Sequence, residues 1–302
     1  MKKIDIIGAK TSYGQPKMGV DLGPEAVRYA GLIPTLKSLN NDVKDKGNVS
    51  IDSFVDVETH SKEIVENMRN FSQVKEFSHE LARCVDESLS NERFPLIIGG
   101  DHSLSIGSIA GVSKHYKNLG VIWYDAHGDL NDAATSPSGN IHGMPLAVSA
   151  GVGHDDLVNL YNEGSKIRTE NIVLIGMRDL DEGEKAFIKE NNIKLFTATE
   201  VNKLGADTVI KEALEYLEDK TDAIHISLDV DALDPIYTPG TGTTVSGGLS
   251  IVDTQITMEA LNKSGKVVSM DLVEVNPLID VHNKTAEVAV EIAAFMFGKT
   301  QV

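Results

Sequence analysis

Short runs of Val, Ile and Leu alternate along the chain with longer segments in which apolar residues recur every third or fourth position. The runs have the length of buried strands and the longer segments the period of a helix with one apolar stripe. Their alternation predicts βα units and a mainly parallel sheet. Strands are predicted at Ile4–Ile7, Leu96–Ile98, Val121–Tyr124, Ile172–Ile175, Lys194–Phe196, Ile224–Leu228 and Val267–Leu272. Helices are predicted at Ser61–Ser90, Leu104–His115, Glu182–Glu190, Ala206–Leu217, Ile251–Lys263 and Thr285–Phe297. No Pro/Ser-rich linker, low-complexity tract or internal repeat divides the chain, so residues 1–302 read as one domain. Leu130–Pro145 and Ala232–Gly248, rich in Gly, Pro and Thr, have the composition of long functional loops.

Composition narrows the classes. With 302 residues, 41% of them hydrophobic, the chain can bury a large core. The 28 basic against 45 acidic residues leave a net charge of −17, which repels phosphate backbones and anionic lipid, so neither nucleic acid nor a membrane surface is an expected partner. Cys84 is the single cysteine, which excludes an intrachain disulfide and a thiolate metal cluster; a buried structural thiol is expected. The start, MKKIDIIGAK, is too short and too interrupted by Asp5 for a secretory leader and reads as a first strand. No segment reaches the roughly 20 apolar residues of a membrane span. A cytoplasmic protein is expected.

The chemistry lies just beyond the carboxyl ends of the apolar runs, the edge where open α/β sheets bind ligands. Leu96-Ile97-Ile98 leads into Gly99-Gly100-Asp101-His102-Ser103, Val121-Ile122-Trp123-Tyr124 into Asp125-Ala126-His127-Gly128-Asp129, and Ile224 to Leu228 into Asp229-Val230-Asp231. Residues two apart on a strand point the same way, so Asp125, His127 and Asp129, and Asp229 and Asp231, can converge with His102. Four carboxylates in one partly buried site need cations to neutralise them, and two divalent ions would do so. Oxygen-dominated ligands with a minority of imidazole and no thiolate suit Mg, Mn or Fe better than structural zinc, and one imidazole per ion points to Mn, although zinc, nickel or cobalt compete in vitro. Singly, each fragment would read as a turn or helix cap; together they read as a metal site. Gly128 contributes no ligand and reads as a spacer.

These motifs resemble the ureohydrolase family and, within it, the arginase branch. The resemblance runs from Gly19-Val20-Asp21-Leu22-Gly23-Pro24 to Glu274-Val275-Asn276-Pro277. It implies a single α/β domain whose parallel eight-stranded sheet is flanked by helices on both faces, one strand more than the pattern yields. It also implies two Mn²⁺ per chain: His102, Asp125, Asp129 and Asp229 around one, and Asp125, His127, Asp229 and Asp231 around the other. The implied reaction is hydrolysis of L-arginine to L-ornithine and urea by a metal-bridging hydroxide, with Asp129 carrying a proton to the departing nitrogen. Matching further motifs, Asn131 and Ser138 of Ser136-Pro137-Ser138-Gly139-Asn140-Ile141-His142-Gly143 would bind the substrate carboxylate, and Asp181 of Gly176-Met177-Arg178-Asp179-Leu180-Asp181 its α-ammonium. Glu274 would bind the guanidinium, His142 would shuttle protons, and Thr243 of Gly240-Thr241-Gly242-Thr243 would line the pocket. Without the family, Asp181 would read as a helix N-terminal acid.

The nearest rival is agmatinase or another guanidino-substrate ureohydrolase, which shares the metal ligands; agmatine lacks the carboxylate that Asn131 and Ser138 would bind. A single-zinc deacetylase of related fold would not need His102 and Asp231, and a catalytically dead binding protein would not need His142 and Glu274. The resemblance also implies a homo-oligomer, a trimer or a hexamer. The compact end, Gly298-Lys299-Thr300-Gln301-Val302, lacks a eukaryote-like tail and favours the bacterial hexamer.

Overall fold

Side chains on successive strand positions enter two separate cores, which requires a helical layer on each face of the sheet. The structure, a computed structural model, describes residues 1–51 and 63–301. Its strands are β1 Lys3–Ala9, β2 Asp42–Asn48, β3 Ile64–Val65, β4 Met68–Arg69, β5 Phe94–Gly99, β6 Leu119–Tyr124, β7 Ile172–Met177, β8 Lys194–Thr197, β9 Ala223–Asp229 and β10 Val267–Val273. Eight of them form one sheet in the order β2-β1-β5-β10-β9-β6-β7-β8, and every neighbouring pair is parallel. Ile4, Ile6, Leu96, Ile98, Ile122, Ile226 and Leu228 pack on one face with the helices Gly23–Tyr29, Ala206–Glu218, Ile251–Ser264 and Lys284–Met296. Ile7, Ile97, Val121, Trp123 and Leu174 pack on the other with Phe71–Ser90 and Ser105–Ser113.

The chain order makes the binding edge. From β5 the chain crosses to β6, runs outward through β7 and β8, and returns to fill the gap with β9 and β10. The four central strands, β5, β10, β9 and β6, therefore end side by side where the crossover leaves a crevice.

The seven strands read from the sequence are all present, and the eighth is β2. Its sequence, Asp42-Val43-Lys44-Asp45-Lys46-Gly47-Asn48, has one apolar residue because it is an edge strand, largely exposed; charge on an edge also discourages pairing with other chains. The helix expected at Ser61–Ser90 begins instead at Phe71. Before it, β3 and β4 form a small hairpin whose turn, Glu66 and Asn67, is left-handed (φ 45° and 66°); Ser61 and Lys62 lie outside the described residues. The helices Gly23–Tyr29, Leu32–Ser38 and Ala198–Leu204 are too short for their period to stand out. Cys84 is half-buried, and burial pushes its thiol pKa up. No helix among the described residues is long and apolar enough to cross a membrane.

Candidate metal centre and substrate cleft

Each ligand strand ends in a tight turn that aims side chains into the crevice. After β5, Asp101 caps the short 3-10 helix His102–Leu104 by accepting from the Ser103 N–H (3.0 Å). After β9, Asp229 Oδ1 accepts from the Asp231 N–H (2.7 Å) and bends the chain so that both acids serve one site. After β6, Asp125 Oδ1 accepts from the His127 N–H (2.7 Å). Asp129 and Glu274 adopt left-handed backbone (φ 50° and 65°), a conformation that costs a non-glycine residue about 1–2 kcal/mol and that clusters at functional sites.

Five of the six predicted metal ligands fall into two groups, and Asp229 borders the first without belonging to either. His102 Nδ1 lies 3.0 Å from Asp125 Oδ2, 3.1 Å from Asp129 Oδ2 and 3.5 Å from Asp229 Oδ2. His127 Nδ1 lies 3.3 Å from Asp125 Oδ1 and 3.2 Å from Asp231 Oδ2. Two ligand groups result, His102 with Asp125 and Asp129, and His127 with Asp125 and Asp231. Asp125 belongs to both, one oxygen to each. His102 Nδ1 and Asp125 Oδ2 are buried and face each other without a hydrogen bond, as donors arranged around a shared cation would be. The electrostatics agree: burial, then the field of Asp231 and Asp125, pushes Asp229 well above the carboxylate range. Burial, then Asp125, pushes Asp231 up to about 6. Burial opposes charge on His102, but the close approach of the Asp125, Asp129 and Asp229 carboxylates outweighs that and raises its pKa. Without a cation these groups hold protons in its place, and four carboxylates and two imidazoles converging on one buried site are a donor set that fits metal ions.

A cleft of about 140 Å³ opens over these groups, with Asn131, Ser138, His142, Asp181 and Thr243 in its lining. Asn131 Nδ2 donates to Asp181 Oδ2 (2.9 Å), using one of its two amide hydrogens. Ser138 is exposed on the rim, its Oγ accepting from the Asn140 N–H (3.2 Å). Thr243 donates to Asp231 Oδ2 (3.0 Å). Glu274 is buried, 1% exposed; its Oε1 accepts from the His102 N–H (3.0 Å) and meets His142 Nδ1 at 3.4 Å. Burial works against a charged His142, yet the contact with Glu274 and the field of Asp129 raise its pKa overall. Asp181 immediately precedes the helix Glu182–Glu190, so it is both the helix-start acid that its sequence suggests and part of the cleft.

Several supporting residues are given no role by the sequence motifs. Ser227 Oγ lies 2.8 Å from His102 Nε2 and is linked through Ser105 (3.0 Å) and directly (3.3 Å) to Asp271, on which Ser108 and His225 also converge. The signal was present: His225, Ser227 and Asp229 are every second residue of β9, a polar face inside a buried strand. Glu184 is buried and accepts from the N–H groups of Leu130 (3.1 Å) and Asp181 (2.8 Å), bracing the two walls. It also bears on Gly128, where a Cβ would lie 2.9 Å from Glu184 Oε1 and 3.0 Å from the Leu180 side chain, so a larger residue there would have to displace the ends of those two side chains. Arg178 donates to the carbonyls of Asp231, Leu233 and Val245 through Nη2, to those of Gly176 and Ala232 through Nη1, and again to Val245 through Nε, clamping the loop that carries Asp231. Gln15 donates to Glu274 Oε2 (2.7 Å).

Comparison with known proteins agrees with this geometry. The profile of the Arginase family matches residues 2–298. A Staphylococcus aureus (strain MRSA252) arginase is 54% identical, with 99% of this chain and 98% of that protein covered. A Bacillus caldovelox arginase is 49% identical over 99% of both chains. The native Bacillus caldovelox arginase structure at pH 5.6 superposes with a TM-score of 0.95 at 48% identity, covering 100% of both chains. With its sheet, its paired ligand groups and these full-length relatives, the chain belongs to the arginase family.

Proposed function

We propose that this protein hydrolyses L-arginine to L-ornithine and urea with two Mn²⁺ per chain, in the cytoplasm and as a homo-oligomer, a hexamer or a trimer. The observation that carries the reading is Asp125, shared between two ligand groups at the base of a cleft that also holds Asn131, Ser138 and Asp181. His102, Asp125, Asp129 and Asp229 would hold one ion, and Asp125, His127, Asp229 and Asp231 the other. Bound divalent ions supply positive charge for the developing transition state and lower the pKa of water towards neutrality.

The chain's own residues do the rest. The Asp181 carboxylate attracts the α-ammonium of arginine, and the second amide hydrogen of Asn131 and the Ser138 hydroxyl donate to its α-carboxylate. Neutral donors bind an anion there without disturbing Asp181. Glu274 faces the guanidinium with its negative charge. His142, whose Nδ1 meets Glu274, keeps Nε2 for proton exchange with solvent, and Asp129 carries a proton to the departing amine. Thr243 holds Asp231 from the opposite wall.

Urea release from L-arginine and from agmatine, assayed side by side with Mn²⁺, tests the substrate. Arginine should be strongly preferred, because agmatine offers Asn131 and Ser138 no carboxylate. A preference for agmatine would move the protein to the other branch of the family.

A further inference from the structure

Glu274 stands at the end of β10 with left-handed backbone, and nothing on its own element holds its side chain. Its Oε1 is fixed by His102 N–H and His142. Its Oε2 is fixed by Gln15, 259 residues earlier in the chain. Gln15 is 3% exposed and sits in a strap, residues 11–17, that is itself anchored on several sides. Asp101 Oδ2 accepts from the Gly14 N–H (3.2 Å) and from the Thr11 hydroxyl (3.3 Å). Asn70 donates to the Tyr13 carbonyl (2.8 Å), and the Lys17 ammonium donates to the Gly242 carbonyl. The Gly14 carbonyl accepts from the His142 N–H (3.1 Å). The strap lies so close to Asp101 that a Cβ on Gly14 would be 2.3 Å from Asp101 Oδ1.

The chemical type at position 15 matters as much as its place. Lys or Arg there would orient Glu274 but cancel its charge, and Asp or Glu would repel it. An apolar residue would leave Oε2 buried without a partner or turn the carboxylate away. A primary amide orients the carboxylate and leaves its charge available to a cation.

We infer that Gln15 is a positioning residue for the guanidinium end of the site: its amide fixes the Glu274 carboxylate, and its strap locks that carboxylate in register with His142. The inference rests on the reading of Glu274 as the guanidinium partner. It predicts a loss confined to the cationic end of the substrate, leaving the amino-acid end and the metal site intact.

The test compares the full-length Mn²⁺-loaded protein with Gln15→Met, which keeps the side-chain volume and lacks the donor; Gln15→Ala replaces it if the first variant misfolds. Three quantities are read: kcat/KM for L-arginine, the calorimetric Kd of L-lysine, which keeps the α-amino and α-carboxylate groups and a terminal cation but has no guanidinium to hydrolyse, and the calorimetric Kd of L-norvaline, which keeps the amino-acid end but has no cation. Expected are a fall of about tenfold or more in arginine kcat/KM and a weaker lysine Kd, with norvaline affinity within twofold of wild type and metal content unchanged. Unchanged arginine kcat/KM and lysine Kd overturn the inference. Equal losses for lysine and norvaline also overturn it, because they make Gln15 a loop anchor alone. If the wild type releases no urea, the functional reading falls, and the two binding titrations still decide Gln15.

Discussion

Replacing Ser227 with alanine removes a single hydroxyl from beneath the candidate metal centre, and the structure limits what that hydroxyl can do. His102 Nδ1 faces Asp125, Asp129 and Asp229, so its lone pair serves a metal only if the ring proton sits on Nε2. Nε2–H then donates to Ser227 Oγ at 2.8 Å, and the Ser227 hydroxyl in turn donates towards Asp271. In Ser227→Ala, Asp271 keeps Ser105 (2.8 Å), Ser108 (2.6 Å) and His225 (3.1 Å), so the loss falls on His102. Its Nε2–H, 1% exposed as a residue, is left without a partner, a penalty of about 1–3 kcal/mol. Removing the hydrogen-bond partner of a metal-ligating histidine typically weakens metal binding by about 10- to 100-fold. The assay is chelator competition on metal-free protein, with thermal unfolding of the same samples. The expected result is one of two binding constants weakened by about that factor, with the metal-free protein still folded. Equal metal affinities in Ser227→Ala and wild type would refute the tautomer argument.

Further outcomes follow from the same geometry. His127→Asn should hold one ion in place of two by metal analysis and lose activity by orders of magnitude. His142→Ala should retain both ions and lose turnover; wild-type turnover in that variant would remove its assigned role as proton carrier. Arg178→Met loses charged hydrogen bonds to five carbonyls and should lower unfolding free energy by at least about 3 kcal/mol in urea titration. Glu184 supplies a pH dependence: burial first, and then the field of Asp129, push its pKa up to about 7 from 4.5. Its raised folded-state pKa means that the folded protein holds a proton which the unfolded chain releases near 4.5. The stability of the metal-free protein should therefore fall as pH rises from about 4.5 to about 7, and Glu184→Gln should flatten that slope in chemical denaturation.

The candidate metal centre was legible because strand geometry converts local sequence into convergence. Asp125, His127 and Asp129, and Asp229 and Asp231, follow buried runs at two-residue spacing, and such runs end at one edge of a parallel sheet. The cleft residues Asn131, Ser138 and Asp181 were legible only through family resemblance, since their loops have no period. Strand β2 was invisible because an edge strand has little apolar burial to reveal it. Gln15 was invisible for another reason: its partner Glu274 lies 259 positions away, and only the placement of β1 beside β5, and β5 beside β10, brings the two together. Ser227 and Asp271 fell between these cases, as polar residues in strands that pattern reading counts as apolar.

A reaction that needs two ions around Asp125 ties activity to metal content. Urea release from L-arginine should be followed while metal-free protein is titrated with Mn²⁺ and bound metal is counted in the same samples. Activity should reach its plateau only at two ions per chain. A plateau at one ion, or full activity with none, would contradict it.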